Sequence, residues 1–200
     1  MPAVDESDRR LIECLHALVF EDAECRAAIE AGLQQASQRF DDPQTTKSYS
    51  SVTLPIELFS KKLPEALRDK VRLARVFTIK AGQRAPHEEI HRNSIQRLVS
   101  FRGRGAVNCA QPPDVNKTGV KRTGVNQTGT DRTYRKYEIS SPDFDRADPA
   151  RASDISACWD VVPANTWHFP EARGNEQWFG VAFHSAAAEE IEDEYVGIGT

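Results

Sequence analysis

The first fifth of the chain carries apolar side chains at the three- and four-residue spacing that is typical of helices. Within residues 8–37 two apolar faces recur at this spacing: Leu11, Leu15, Leu18 and Val19, then Cys25, Ala28, Ile29 and Leu33. Asp22 is the expected cap of the second helix. Two such helices do not bury both of their faces alone, so we expect the pair to pack on a larger body.

A polar stretch separates these helices from the rest of the chain. Residues 41–51 read DDPQTTKSYSS and include Pro43, which predicts a linker. We therefore assign residues 1–51 to a helical extension and linker that packs on a domain comprising residues 52–200. A short strand at 52–58 and a short helix begun by Pro64 are expected to open that domain.

Beyond residue 71 the pattern changes to short β-rich segments separated by Gly and Pro. The candidate strands are Val71–Ile79, Arg97–Phe101, Gly105–Cys109, Thr133–Ile139, Cys158–Val162 and Trp178–Phe183. No helical pattern there is long enough for crossovers between parallel strands, which favours an antiparallel barrel or sandwich. The sequence thus predicts a mainly β fold with an N-terminal helical extension. The acidic run at 189–194 predicts a solvated helix face.

One segment has low complexity. Residues 116–135 form a degenerate five-residue repeat centred on Thr-Gly, NKTGV, KRTGV, NQTGT and DRTYR. Gly, Thr and Asn at this density disfavour a packed core, so we predict a flexible loop between strands near residues 112–133. Its excess of basic residues leaves an anion-binding role as the alternative.

Composition narrows the classes of partner. The 200 residues suffice for one domain, and a formal net charge of −4 predicts no general attraction to nucleic acid or to a membrane. No apolar run approaches the roughly 20 residues that span a bilayer, and residues 1–10 are acidic and polar, unlike a secretory signal. We expect a cytoplasmic protein with a small-molecule substrate, for which a homodimer is the candidate assembly.

Four cysteines are scattered along the chain, at Cys14, Cys25, Cys109 and Cys158. They include no CxxC pair, which disfavours a disulfide framework or a thiolate zinc site. We interpret them as small buried residues in a reducing compartment.

The candidate chemistry lies in two segments, Gly82–Gly103 and Pro163–His168. The first resembles a motif of the cupin superfamily: a glycine, then His-x-His, then a glutamate after four intervening residues and a glycine after six more intervening residues. Counted back from Gly103, Gln96 takes the glutamate position, His91 that of the second His and Glu89 that of the first.

The second segment resembles the second cupin motif, Pro-x-Gly-x-x-His followed by Asn. Pro163 and His168 match, Asn165 replaces the glycine, and Ala172 stands at the closing Asn. Because Asn adopts the left-handed conformation that a turn glycine supplies, the Asn165 replacement is physically mild.

The resemblance implies a cupin-type antiparallel barrel, or jelly roll, with a metal site. In cupins resembling this chain, two His, a carboxylate and a further His hold Fe, Mn, Ni, Zn or another divalent metal. The residues that carry over are Glu89, His91, Gln96 and His168. Two imidazoles and one carboxylate form the facial triad that suits non-haem Fe(II), and Gln96 is either a weak ligand or a hydrogen-bond partner of bound water.

Two alternatives involve His87. Counted forward from Gly82, the first ligand position falls between His87 and Glu89, which makes His87 the alternate ligand. About 13 Å of straight strand separates His87 from His91, so one metal reaches both only across a bulge. The same residues also spell HExxH, the zinc-peptidase helix, with Glu88 as general base.

The favoured function is that of an Fe(II) dioxygenase acting on a small polar molecule, with a loose resemblance to thiol dioxygenases. Lewis-acid isomerase or lyase chemistry with Zn, Mn or Ni is the alternative, and a metal-free binding protein is a third. Of the remaining histidines, His16 is expected to be a surface or satisfied helix residue and His184 a polar strand end. The barrel arginines at 75, 97 and 102 are candidates for a carboxylate clamp, although surface positions are favoured.

Overall fold

The computed structural model describes residues 6–42, 44–111, 132–144 and 154–197. Most of the Thr-Gly repeat falls outside these ranges, so the loop predicted near 112–133 lies outside the described residues except for positions 132 and 133. Within them, no helix has the length and apolar character needed to cross a membrane.

Five helices and ten strands are described. The helices are α1 (Glu6–Phe20), α2 (Ala23–Gln38), α3 (Glu57–Ser60), α4 (Glu65–Arg68) and α5 (Ile155–Cys158). The first five strands are β1 (Tyr49–Leu54), β2 (Leu73–Ile79), β3 (His87–His91), β4 (Gln96–Arg102) and β5 (Arg104–Ala110). The others are β6 (Tyr134–Ser140), β7 (Trp159–Val162), β8 (His168–Ala172), β9 (Trp178–His184) and β10 (Asp193–Gly197).

The strands form two five-stranded antiparallel sheets, with the orders β1-β2-β9-β4-β7 and β10-β3-β8-β5-β6. Strand β2 pairs with β9, β3 with β8, β4 with β7 and β5 with β6. This nested pairing of the eight strands β2–β9, from the outermost pair inward to the middle pair, is the jelly-roll arrangement of two packed sheets, and β1 and β10 add one edge strand to each sheet. The predicted mainly β jelly roll with an N-terminal helical extension is therefore confirmed.

Helices α1 and α2 cover the outer face of the first sheet. Apolar residues of both helices share one buried cluster with outward-facing strand residues; its members include Leu11, Leu15, Ile29, Val76, Val181 and Phe183. The Asp22 carboxylate caps α2 by accepting a hydrogen bond from the Cys25 amide at 2.9 Å. Burial of the two apolar faces against the sheet explains why helices of this length are stable here.

A second apolar cluster fills one half of the space between the sheets. It includes Phe77, Leu98, Val107, Trp178 and Ala182. Side chains alternate along each strand, so Gln96, two residues before Leu98, and His184, two after Ala182, face the same interior. The half of the barrel at the His184 end of β9 is the polar half.

Three local predictions differ from the structure. Strand β1 begins at Tyr49, inside the stretch predicted as linker, because it pairs in register with β2. The acidic run at 189–194 is not a helix face: it leads into β10, whose residue Asp193 pairs with His91 on β3. The predicted surface position of Arg97 is also wrong, since Arg97 is buried beneath α1 and pairs with Asp8 at 2.5 Å.

The four cysteines are free thiols, as expected. Burial raises the pKa of Cys25 and of Cys109 to about 12. These thiols are therefore protonated at neutral pH and inert as nucleophiles.

Candidate metal centre

Strand β3 places Glu89 and His91 on one face, two residues apart. The His91 ring is 2% exposed, and its Nδ1 lies 2.5 Å from Oδ1 of Asp193 on the neighbouring strand β10. An acceptor at this position fixes the proton on Nδ1. The other ring nitrogen, Nε2, is buried and makes no hydrogen bond within the described part of the chain.

His168 is the first residue of β8 and pairs directly with Glu89 across the sheet. Its Nδ1 lies 3.0 Å from the Thr166 carbonyl oxygen, which again assigns the proton to Nδ1. Its Nε2 is buried, has no hydrogen-bond partner among the described residues, and lies 3.3 Å from Oε1 of Glu89. Both imidazoles therefore direct Nε2 toward the same carboxylate.

One ligand atom each from Glu89, His91 and His168 lies within 4.8 Å of the others. A carboxylate oxygen and two nitrogen lone pairs at this separation repel one another unless a cation lies between them. Buried polar atoms without partners are rare in proteins, and two of these three donors are such atoms. The donor set and its convergence fit a divalent metal ion.

The ionisation of these groups suits metal binding. Burial raises the pKa of Glu89, but the hydrogen-bonding contact with His168 opposes it, and the pKa is lowered to about 2. Burial and the charge of His168 lower the pKa of His91 below its ordinary value, against the pull of Glu89 and Asp193. Carboxylate and neutral imidazole are the forms that bind metals.

The turn of the second motif is joined to the strand of the first. Asn165 has φ of 61°, the left-handed conformation expected at the position where the motif has glycine. Its amide donates a hydrogen bond to the His91 carbonyl at 2.7 Å, and its side-chain oxygen accepts one from Arg92 at 2.5 Å. The motif glycines Gly82 and Gly103 also have positive φ, of 63° and 83°. The prediction that Asn165 replaces a turn glycine is thus confirmed.

Gln96 begins β4 and faces the interior, where its Oε1 is buried without a hydrogen-bond partner among the described residues. It pairs across the sheet with His184 on β9. Its role as a ligand or as a partner of bound water stays a prediction.

His87 lies at the far end of β3, where its ring packs edge-on against Tyr195 with centroids 4.7 Å apart. The converging donor atoms found among the described residues do not include a nitrogen of His87. The geometry therefore favours Glu89 over His87 as the first ligand.

The HExxH interpretation requires a helix, and residues 87–91 form a strand. On a strand Glu88 faces away from Glu89 and His91. Its carboxylate accepts hydrogen bonds from the Tyr134 hydroxyl at 2.6 Å and from Arg132 at 3.0 Å. The peptidase alternative is therefore wrong, because the β-rich surroundings and not the five-residue pattern determine the local structure.

His184 was predicted to be a polar strand end, and the structure places it inside the barrel. This residue is 1% exposed and its ring centroid lies 4.9 Å from that of His91, beside the converging donors. Burial and the nearby His91 and Arg75 hold its pKa well below the ordinary value. The signal in the sequence was the alternation that places His184 on the face of Ala182. His16, by contrast, is satisfied as expected, since its Nδ1 accepts from the Trp159 indole at 3.2 Å.

Asp193, the partner of His91, was also missed, because nothing local distinguishes it within an acidic run. The three strand arginines differ in direction. Arg97 and Arg102 face the helices and pair with Asp8 and Glu30, whereas Arg75 shares the inward face of β2 with Phe77.

No protein-family model matches the chain, and no curated protein matches it. Solved structures do match the chain. Vicilin from hazelnut (Corylus avellana) is 12% identical with a TM-score of 0.47, and the match covers 78% of this chain and 33% of the vicilin. An oxalate oxidase in complex with glycolate is 11% identical with a TM-score of 0.47, over 76% of this chain and 56% of the oxidase.

An oxalate decarboxylase from Bacillus subtilis with Mn(II) centres is 12% identical with a TM-score of 0.45, over 76% of this chain and 29% of the decarboxylase. The chain thus spans from about a third to about half the length of these proteins. The strands of this chain nest as a jelly roll of two antiparallel sheets, and the two predicted motif segments meet inside it.

Proposed function

We propose that this chain is a metal-dependent enzyme whose ion is held by Glu89, His91 and His168. The observation that carries the proposal is the convergence of three donor atoms within 4.8 Å inside the barrel, where both imidazole Nε2 atoms have no partner among the described residues.

We favour Fe(II) as the ion and oxidation of a small polar molecule as the reaction class. Two imidazoles and one carboxylate leave coordination positions free for substrate and oxygen, which is the arrangement of non-haem Fe(II) oxygenases. When bound, the metal would supply activation of molecular oxygen.

The chain's own residues orient the donors and shape the cavity. Asp193 and the Thr166 carbonyl hold the two rings with Nε2 inward, and the apolar half of the barrel around Trp178 limits access of water from that side. Arg75 faces the same interior and acts electrostatically on His184. A cationic side chain on this face supports a substrate that carries a negative group.

Lewis-acid chemistry is the second candidate, and the same donor set fits it. Two His and one Glu are also the ligands of catalytic zinc sites that keep a fourth position for water or substrate. With Zn, Mn or Ni the same site would polarise a carbonyl or activate water for isomerisation or elimination.

Metal content tests the proposal. We expect about one equivalent of a transition metal in the purified wild-type protein, and less than about a tenth of an equivalent in His91→Ala and His168→Ala. His87→Ala is the matched control, because His87 lies on the same strand outside the converging donors, and it should retain the metal. A wild-type protein that is metal-free and binds none of Fe(II), Mn(II), Ni(II) or Zn(II) on reconstitution would show a metal-free binding protein instead.

Oxygen consumption then separates the two chemistries. Protein reconstituted with Fe(II) under anaerobic conditions should consume oxygen when a panel of small thiols and diketones is added, and the Zn(II)-loaded protein should not. Turnover of a substrate by the Zn(II), Mn(II) or Ni(II) form without oxygen uptake would instead support the Lewis-acid alternative.

A further inference from the structure

His184 occupies an unusual place for a histidine without an assigned role. It ends β9, the central strand of its sheet, and pairs with Gln96 on β4 and with Leu73 on β2. Alternation along β9 directs it into the barrel, on the face of Ala182. Only 1% of its surface is exposed.

One nitrogen of this buried ring lacks a hydrogen-bond partner among the described residues. Its Nδ1 is buried and has no hydrogen-bond partner in the described ranges of the chain. A neutral imidazole carries one donor and one acceptor, and burying either without a partner is unfavourable. A bound metal ion would occupy the lone pair of the acceptor nitrogen and take the place of a hydrogen-bond donor, as it would for Nε2 of His91 and of His168.

The spacing of the His91 ring from each of its two neighbours fits a shared ion, although His184 is not in the group of donors among the described residues that lie within 4.8 Å of one another. The ring centroid of His91 lies 5.1 Å from that of His168 and 4.9 Å from that of His184, with interplanar angles of 64° and 78°. A nitrogen bound at about 2.1 Å puts its ring centroid about 3.2 Å from the metal, so two rings at tetrahedral or right angles lie about 4.5–5.2 Å apart. Both observed spacings fall in this range.

The pairing of His184 with Gln96 also bears on which side chains complete the metal site. By the motif resemblance, residue 96 is where a carboxylate ligand would stand and residue 89 is where an imidazole would stand. Neither position has the side chain that the motif has there, because Gln96 carries an amide and Glu89 carries a carboxylate. An imidazole beside Gln96 restores a set of three nitrogens and one carboxylate oxygen.

We propose that His184 is the fourth protein ligand of the metal, together with Glu89, His91 and His168. This inference rests on the proposed metal site and assigns a ligand outside both sequence motifs. Gln96 then does not bind the metal directly and instead lies beside the metal-bound water or the His184 ring. It also leaves the ion one fewer open position than a three-residue triad does.

The test compares metal binding by His184→Ala, His184→Gln and the control variant His87→Ala with that of the wild-type protein. Zn(II) affinity is measured by competition with a chromogenic chelator, and Co(II) absorption between about 500 and 650 nm reports the ligand field. Spin-echo modulation of the Cu(II)-loaded protein counts the bound imidazoles. We expect both His184 variants to lose at least tenfold in Zn(II) affinity. Their Co(II) spectra should change, and the Cu(II)-loaded variants should show one bound imidazole fewer than the wild type. Adding free imidazole should partly restore the Co(II) spectrum of His184→Ala. His87→Ala should bind Zn(II) within about threefold of the wild type and keep its imidazole count, because the His87 ring packs against Tyr195 outside the converging donors.

The outcomes separate the two proposals. A wild-type protein that binds none of the three metals overturns the metal site itself. A wild-type protein that binds them, with His184 variants that keep its affinity within threefold and its imidazole count, overturns the role of His184 alone. His184→Gln keeps a neutral polar side chain of similar size, so it provides the comparison if the alanine variant does not fold. Circular dichroism establishes which variants are folded before metal is added.

Discussion

Nδ1 of His91 and Oδ1 of Asp193 lie 2.5 Å apart, although 102 positions separate the two residues in the chain. The hydrogen bond joins β3 to β10 and turns Nε2 of His91 toward Glu89 and His168. The second oxygen of Asp193 accepts a hydrogen bond from the Tyr195 hydroxyl at 2.8 Å, which holds the carboxylate in place. A carboxylate behind a ligating imidazole fixes its tautomer and raises its basicity.

Replacing Asp193 should therefore weaken metal binding without removing a ligand. We expect Asp193→Ala to lower Zn(II) affinity by about 10- to 100-fold, the usual effect of losing such a partner. Asp193→Asn should lie between the wild type and the alanine variant, because its amide oxygen still accepts the hydrogen bond but carries no charge. Chelator competition at pH 7.5 measures both. Equal affinities in all three proteins would contradict an orienting role.

Glu89 and its neighbour Glu88 provide a matched pair of carboxylates. Because Glu89 faces the imidazoles and is ionised at neutral pH, we expect Glu89→Gln to reduce metal affinity at least tenfold. Glu88→Gln should leave metal affinity unchanged and instead lower thermal stability, since it weakens the contacts with Tyr134 and Arg132. Metal analysis and thermal melts of the two variants check this, and a reversed pattern would overturn the assignment of the inward face of β3.

Asp160 makes the stability of the fold depend on pH. It is 0% exposed on the inward face of β7, and burial raises its pKa to about 6 against the opposing contact with the Val161 amide. An aspartate in the unfolded chain titrates near about 3.9. Between these values the folded protein keeps a proton that the unfolded chain releases, so stability falls as the pH rises, by about 3 kcal/mol in total once the pH is above the folded pKa.

The variant Asp160→Asn removes this titration. We expect it to be more stable than the wild type by about 1–3 kcal/mol at pH 7.5 and to differ by less than about 1 kcal/mol at pH 4, where the wild-type carboxyl is protonated in the folded state. Urea unfolding at the two pH values gives the comparison. If the variant and the wild type differ in stability by the same amount at both pH values, Asp160 keeps an ordinary pKa.

The left-handed turn at Asn165 predicts a simple order of stability. Asn165→Gly should be tolerated within about 1 kcal/mol, because glycine adopts positive φ without strain. Asn165→Ala should cost about 1–2 kcal/mol and Asn165→Val more, since a β-branched residue is strained in this region. Denaturant unfolding ranks the three. If the valine variant is as stable as the glycine variant, the turn does not require the left-handed conformation.

The sequence by itself determined the class of fold and one half of the site. Short apolar segments punctuated by Gly and Pro identify strands whatever their partners, and helical spacing identifies α1 and α2. The two motifs located His91, His168 and the turn at Asn165, because motif spacing reports local backbone geometry that neighbouring residues impose.

Only the tertiary structure decided which residues complete the site. Alternation tells which side of a strand His184 lies on, but not that β9 runs beside β4 with His184 opposite Gln96. An acidic run near residue 190 has no local preference that would mark Asp193, until β10 pairs with β3 and brings it to His91. Strand pairing joins residues far apart in the chain, and its register depends on how the whole barrel buries its apolar faces. The fold could therefore be inferred from the sequence, whereas His184 and Asp193 could be assigned only once the strands were paired.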